Sequence, residues 1–235
     1  YEKPINGLKP PVSEPFDVEI HIEQTSLLYR ESNYTGLGIS PVGDEIAKAM
    51  IDSKERKHIE PVMAELRASM PETNHGLLLE KFLRKHLEDS GLLRIGNIRI
   101  YGAAHPAPAP DASDATRQVM ILRAAYYMSP LLREFRVALD ARYGARKTLM
   151  SATPVKPGAL FSQRFYYDVG VGNVGRLYSL PNAASYWKNV GADNLAQHAI
   201  AGLEDTARML AYEIQRSPRF GRIAGKQYGW GEGQY

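Results

Sequence analysis

"RQVMILRAAYYMSPLLREFRVALDARYG", Arg117 to Gly144, decides the fold. Its first part, Val119 to Met128, is apolar on both faces apart from Arg123, as a central strand would be. Its second part alternates Phe135, Val137, Leu139, Ala141 and Tyr143 against arginine and aspartate. That is the pattern of a strand with one dry face and one wet face. The short link "MSPLLR" favours antiparallel neighbours.

Further strands lie on both sides. "ALFSQRFYYDVGV" alternates Phe161, Phe165, Tyr167 and Val169 against Arg164, Tyr166 and Asp168. "FDVEIHIEQ" alternates Phe16, Val18, Ile20 and Ile22 against Asp17, Glu19, His21 and Glu23. "LLRIGNIRIYG" reads as one bulged strand or a hairpin turning at Gly96-Asn97.

Helical signals are fewer. Leu79, Phe82, Leu83, His86 and Leu87 form a stripe over 74–90, with Gly91 placed to end it. Leu195, Ala199, Leu203, Ala207, Leu210 and Ile214 form another over 193–216, with Asn194 and Gln197 as a loose capping box. Short helices are expected after Ser40-Pro41 and from Pro61. Strand, helices, a block of strands and a last helix give an α+β class. The expected fold is a mostly antiparallel sheet with two main amphipathic helices on one face. Residues 16–216 form the domain, 1–15 and 217–235 extended arms.

A chain of 235 residues can bury about 70% of its unfolded surface. The net charge of +3 is too small to argue for nucleic acid unless it is concentrated. The absence of cysteine removes disulfides, thiolate metal sites and cysteine nucleophiles. No apolar run is long enough to read as a membrane-spanning helix.

"YYDVGVGNVG" places Gly170, Gly172 and Gly175 in the spacing of a dinucleotide fingerprint. The fingerprint needs a buried strand before it and a helix starting within it. Here the strand is polar on one face, and Pro181 falls where the helix should be in full stride. The glycines therefore read as a strand-end turn, and no cofactor is expected. "GRIAGK", 221–226, has the wrong spacing for a phosphate loop.

Asp17, Glu19, His21 and Glu23 share one side of a strand, where two could ligate a metal only with outside help. The pattern reads instead as a solvated face, and no metal is expected. His86 and His198 read as packing or boundary residues. Tyr126, Tyr127, Tyr166, Tyr167, Tyr178, Tyr186 and Trp187 read as core and sheet packing. No catalytic motif emerges.

The candidate interaction residues lie in the last segment: Arg219, Phe220, Arg222, Lys226, Tyr228, Trp230 and Tyr235. Arginine and rings in a glycine-rich tail suit an arm that docks on a neighbouring subunit. They also suit single-stranded nucleic acid, the alternative reading. Prolines 4, 10, 11 and 15 make the start a semi-rigid spacer. With tyrosine at position 1, a leader carrying a membrane tether is expected upstream. The layout resembles small bacterial envelope lipoproteins in general arrangement, with no motif tying it to one family. The expectation is a non-enzymatic protein of the bacterial cell envelope, on the periplasmic side. It would be a subunit of a larger assembly, its partners other protein subunits in a homo- or hetero-oligomer. The nucleic-acid alternative would be cytoplasmic. An enzyme with a spatially assembled site is a third reading.

Overall fold

A computed structural model describes residues 15–22, 24, 26–29, 57–88, 94–102, 105–108, 117–150, 159–171 and 179–215. They form an α+β fold with an open, mixed sheet of six strands and four helices. The strands are β1 (Phe16–Ile22), β2 (Leu28–Tyr29), β3 (Ile95–Gly102), β4 (Gln118–Met128), β5 (Glu134–Ala145) and β6 (Ala159–Gly170). The helices are α1 (57–69), α2 (His75–Leu83), α3 (Arg146–Met150) and α4 (Leu180–Gln215).

The order is β3-β1-β4-β5-β6, with β2 also on β4. The two longest ladders, β4/β5 and β5/β6, are antiparallel, the first as its short link demands. β1 runs parallel to both of its neighbours, and β2 runs parallel to β4. β4 is central, which explains its two apolar faces.

The Gly96-Asn97 question resolves as a bulge, not a hairpin. Phe16 pairs with Ile95, but Val18 pairs with Ile98, so β3 carries one extra residue. Asp17 Oδ1 accepts the Asn97 N–H at 2.8 Å. A Cβ on residue 96 would sit 2.7 Å from that same oxygen, so any larger residue there would have to displace the Asp17 carboxylate from the Asn97 N–H.

Gln24 closes a gap along β4. β1 pairs with β4 as far as Arg123, and β2 resumes at Tyr127. Between them the Gln24 side chain takes the place of a strand residue. Its Nε2 donates to Tyr126 O at 3.0 Å, and its Oε1 accepts Tyr126 N–H at 2.9 Å. Gln24→Ala leaves two main-chain groups of the central strand unpaired, at a cost of about 1–3 kcal/mol. Urea unfolding should show the loss, and the Tyr126 amide should exchange faster with deuterium. Unchanged exchange at Tyr126 would refute this role.

One hydrophobic core runs from Phe16 to Ile214 between the sheet and α1, α2 and α4. α2 begins where Asn74 accepts the Leu77 N–H at 3.1 Å. It passes into a π-helical turn at Arg84–Glu88. Pro61 falls inside α1 rather than starting it. α4 is longer than its stripe implies, being two helical segments joined at Gly191, whose φ of 76° favours glycine. Pro181 lies in the first turn, where its missing N–H costs nothing. Asn194 is not a cap: its Nδ2 donates to Val190 O across the kink, at 2.7 Å. Gly202 lets α4 approach β5, since a Cβ there would meet Val137 at 2.5 Å.

Candidate functional site: the helix-poor sheet face and its ion clamp

Alternation puts the polar residues of β1, β4, β5 and β6 on the face opposite the core. Among the described residues, the helix on this face is the five-residue α3. Leu149 packs there on Val119 and Ile121.

Beneath this cover lies a buried ion cluster. Glu19, His21 and Arg146 are 2%, 5% and 1% exposed. Arg146 Nε donates to Glu19 Oε1 at 2.7 Å, and its Nη2 donates to Pro108 O at 3.0 Å. His21 Nε2 stands 3.6 Å from Glu19 Oε2, and the imidazole stacks at a tilt on Tyr101. Burial pushes the Glu19 carboxyl up, but bonds from His21 and Arg146, with the Arg146 charge, outweigh it and hold it below the ordinary value. The solvated-face reading of β1 is therefore corrected at Glu19 and His21. The sheet brings α3 and Pro108 over them, and the distant Arg146 neutralises the carboxylate. The cluster acts as a clamp joining β1, α3 and the 105–108 segment, with Glu19 Oε2 and His21 Nε2 buried in it and without a hydrogen-bond partner among the described residues. Asp17 is tied to Arg117 and to the β3 bulge. Glu23 lies outside the described residues. No group of three metal-ligating side chains occurs among the described residues.

Towards the β6 edge the face is open and more polar. Arg136 grips Asp168 with two bonds, Nε to Oδ1 and Nη2 to Oδ2, the second at 2.9 Å. Arg136 Cζ also sits 4.8 Å over the Tyr166 ring. Asp140 accepts from Arg142 at 3.1 Å and from Arg164 at 2.8 Å. Burial raises the Asp140 carboxyl, yet these two guanidinium bonds more than offset it and keep it ionised. For Arg136, burial opposes the charge and Asp168 overcomes it, so the cation is held more firmly. Asp140 holds Arg164 in the same sense.

Other singled-out groups behave as packing. His86 Nε2 faces Glu204 Oε1 at 3.6 Å, and His198 Nδ1 lies 3.4 Å from the Tyr167 hydroxyl. Tyr126, Tyr127, Tyr167 and Trp187 are buried, while Tyr166 and Tyr186 are half-buried. Tyr178 lies outside the described residues. His75 went unnoticed in the sequence: it is buried against the Tyr126 ring at 4.5 Å, and burial lowers its pKa. Gly170 ends β6, an edge strand antiparallel to its neighbour, whereas a dinucleotide fingerprint follows a buried parallel strand. Gly172 and Gly175 lie outside the described residues, as do Arg219, Phe220, Arg222, Lys226, Tyr228, Trp230 and Tyr235. No helix among the described residues is long and apolar enough to cross a membrane.

No known family model matches this sequence, and no curated protein matches it. A solved structure described as that of an uncharacterized protein is similar over 85% of this chain and 92% of its own. It shares 10% identity at a TM-score of 0.33, too slight a likeness to bear on fold or function.

Proposed function

We propose that this chain is a non-catalytic interaction domain, a subunit of a larger assembly that presents the open part of its sheet face to other protein subunits. One observation carries the reading. The five-residue α3 is the helix that the described residues place on this face, it reaches β4 and β5, and towards β6 the face displays Arg136, Asp140, Arg142, Arg164, Tyr166 and Asp168, organised by mutual bonds. Arginine and tyrosine are enriched where proteins meet, and side chains already held in place lose little freedom on binding. A cell-envelope setting, with the proline-rich 1–15 as spacer, belongs to the same proposal; the four prolines support it. A nucleic-acid role would use the same guanidinium groups. Asp140 and Asp168 already engage three of them, which favours protein contact over phosphate.

The test is photo-cross-linking in the native source. A photoreactive residue replaces Arg123, exposed on the open face, or Tyr212, 64% exposed on the helix layer. Protein adducts should form at 123 and be absent at 212. Adducts at neither position, or nucleic acid captured at 123 with salt-sensitive yield, would overturn the proposal.

A further inference from the structure

We infer that the partner at the β6 edge is a second copy of this chain, joined by antiparallel β6–β6 pairing with its two-fold axis at Tyr166. This rests on the interaction-domain reading and names a partner within it.

β6 is 12 residues long and ends the sheet, with no strand on its outer side among the described residues. Natural edges are usually shortened, bulged or guarded with like charges against pairing. This one is as long as its neighbour β5, also 12 residues, and its bulge, between residues 159 and 161, lies at its start and leaves Arg164–Asp168 in regular register. Its open-face side chains read Arg164, Tyr166, Asp168. β5 reads Arg136, Ala138, Asp140 in the same positions. The fold already pairs these two patterns antiparallel: Arg136 opposite Asp168, Ala138 opposite Tyr166, Asp140 opposite Arg164. Both charged pairs close as ion pairs.

Arginine, spacer, aspartate is self-complementary under a two-fold axis. A second β6 can therefore meet the outer edge as β5 meets the inner one. Arg164 of each copy then stands opposite Asp168 of the other, and the two Tyr166 rings meet on the axis. On the other face Phe165 comes opposite Tyr167. Directly opposed charged and aromatic pairs stabilise antiparallel strands, and an isologous contact closes after two copies. The two sheets become one, and the polar faces lie side by side.

The chain has no cysteine, so a single introduced thiol reports one position. Tyr166→Cys in the full chain should oxidise to a disulfide-linked dimer. Arg164→Cys and Asp168→Cys chains should link to each other when mixed and link poorly alone. The unmodified chain should sediment at twice its 26.2 kDa. Tyr166→Glu places two carboxylates on the axis, while within each copy the new carboxylate lies beside Arg136 and Arg164. It should therefore fold, with an unchanged far-UV circular dichroism spectrum, and self-associate roughly tenfold or more weakly. A monomeric unmodified chain, or no disulfide from Tyr166→Cys, overturns the proposal. If adducts at position 123 persist in that case, the subunit reading stands with another partner. If those adducts vanish too, both fall.

Discussion

Arg146→Met lowers the stability of the fold at neutral pH by about 3–5 kcal/mol, read as a drop in the urea midpoint. The size follows from what is left behind. Glu19 is 2% exposed and takes the Arg146 guanidinium at 2.7 Å. Removing the cation leaves a carboxylate in a site sealed by β1, α3 and the Pro108 segment, with His21 beside it. The pH dependence then weakens. In the unaltered chain the folded-state pKa of Glu19 is depressed, so its stabilisation is present above the ordinary carboxyl range. That stabilisation disappears as pH falls through the folded value. In Arg146→Met the desolvation remains and the bond and charge of Arg146 are gone, leaving His21 to oppose it, so the folded-state pKa of Glu19 rises. The variant thus loses less stability on acidification than the parent does. The difference between them should shrink as pH drops from about 7 to about 4. The double variant Glu19→Gln/Arg146→Met should recover much of the loss at neutral pH, because no buried charge then lacks a partner. A penalty that is flat with pH, or unchanged in the double variant, would show that Arg146 acts through packing alone.

The clamp also marks where sequence reasoning stops. Period-two alternation identified the residues of β1, β5 and β6 because a half-buried strand must alternate, whatever pairs with it. The apolar run of 119–128 made β4 central, since a strand apolar on both faces must be covered on both. Alternation carries no direction, so the parallel run of β1 between β3 and β4 was not legible. Nor was Gln24 as a stand-in strand residue, since that depends on the gap between β1 and β2. Asp17, Glu19 and His21 looked solvated because an outward face looks the same whether water or α3 covers it. The covering arginine lies more than a hundred positions away, at the end of β5. Pro181 misled for a local reason: proline disrupts a helix interior yet suits a first turn, and only the boundary tells these apart. The arginine–aspartate pattern of β5 and β6 was visible, but the register that matches the two strands was not.

Trp187→Ala should cost about 3–5 kcal/mol, with a disproportionate effect on the β4–β5 connection. Trp187 is fully buried, and its indole Nε1 donates to Leu132 O at 2.6 Å. That carbonyl belongs to an unusual turn. Leu131 and Leu132 both have positive φ, 61° and 56°, which a leucine adopts at about 1–2 kcal/mol per residue. Neighbouring bonds hold the turn: Ser129 N–H to Glu134 O at 2.8 Å, Glu134 N–H to Ser129 Oγ at 2.9 Å, and Leu131 N–H to the Tyr29 hydroxyl at 3.4 Å. The indole anchors this turn from the helix layer, fully buried and bonded to it. Trp187→Phe separates the two contributions. It keeps most of the buried ring and loses the donor, so it should cost about 1–2 kcal/mol. Hydrogen exchange supplies the second readout. In Trp187→Ala the amides of Leu132 and Glu134 should lose protection before those in the middle of β4. Equal penalties for the two variants would assign the whole effect to the hydrogen bond. Uniform loss of protection across β4 and β5 would show that the turn is held by its own bonds. The turn also sets which residues of β4 and β5 face each other, and through β5 the register that places Arg136 on Asp168. Loosening it should therefore reach the β6 edge, and Tyr166→Cys dimers should form more slowly in the Trp187→Ala background than in its absence.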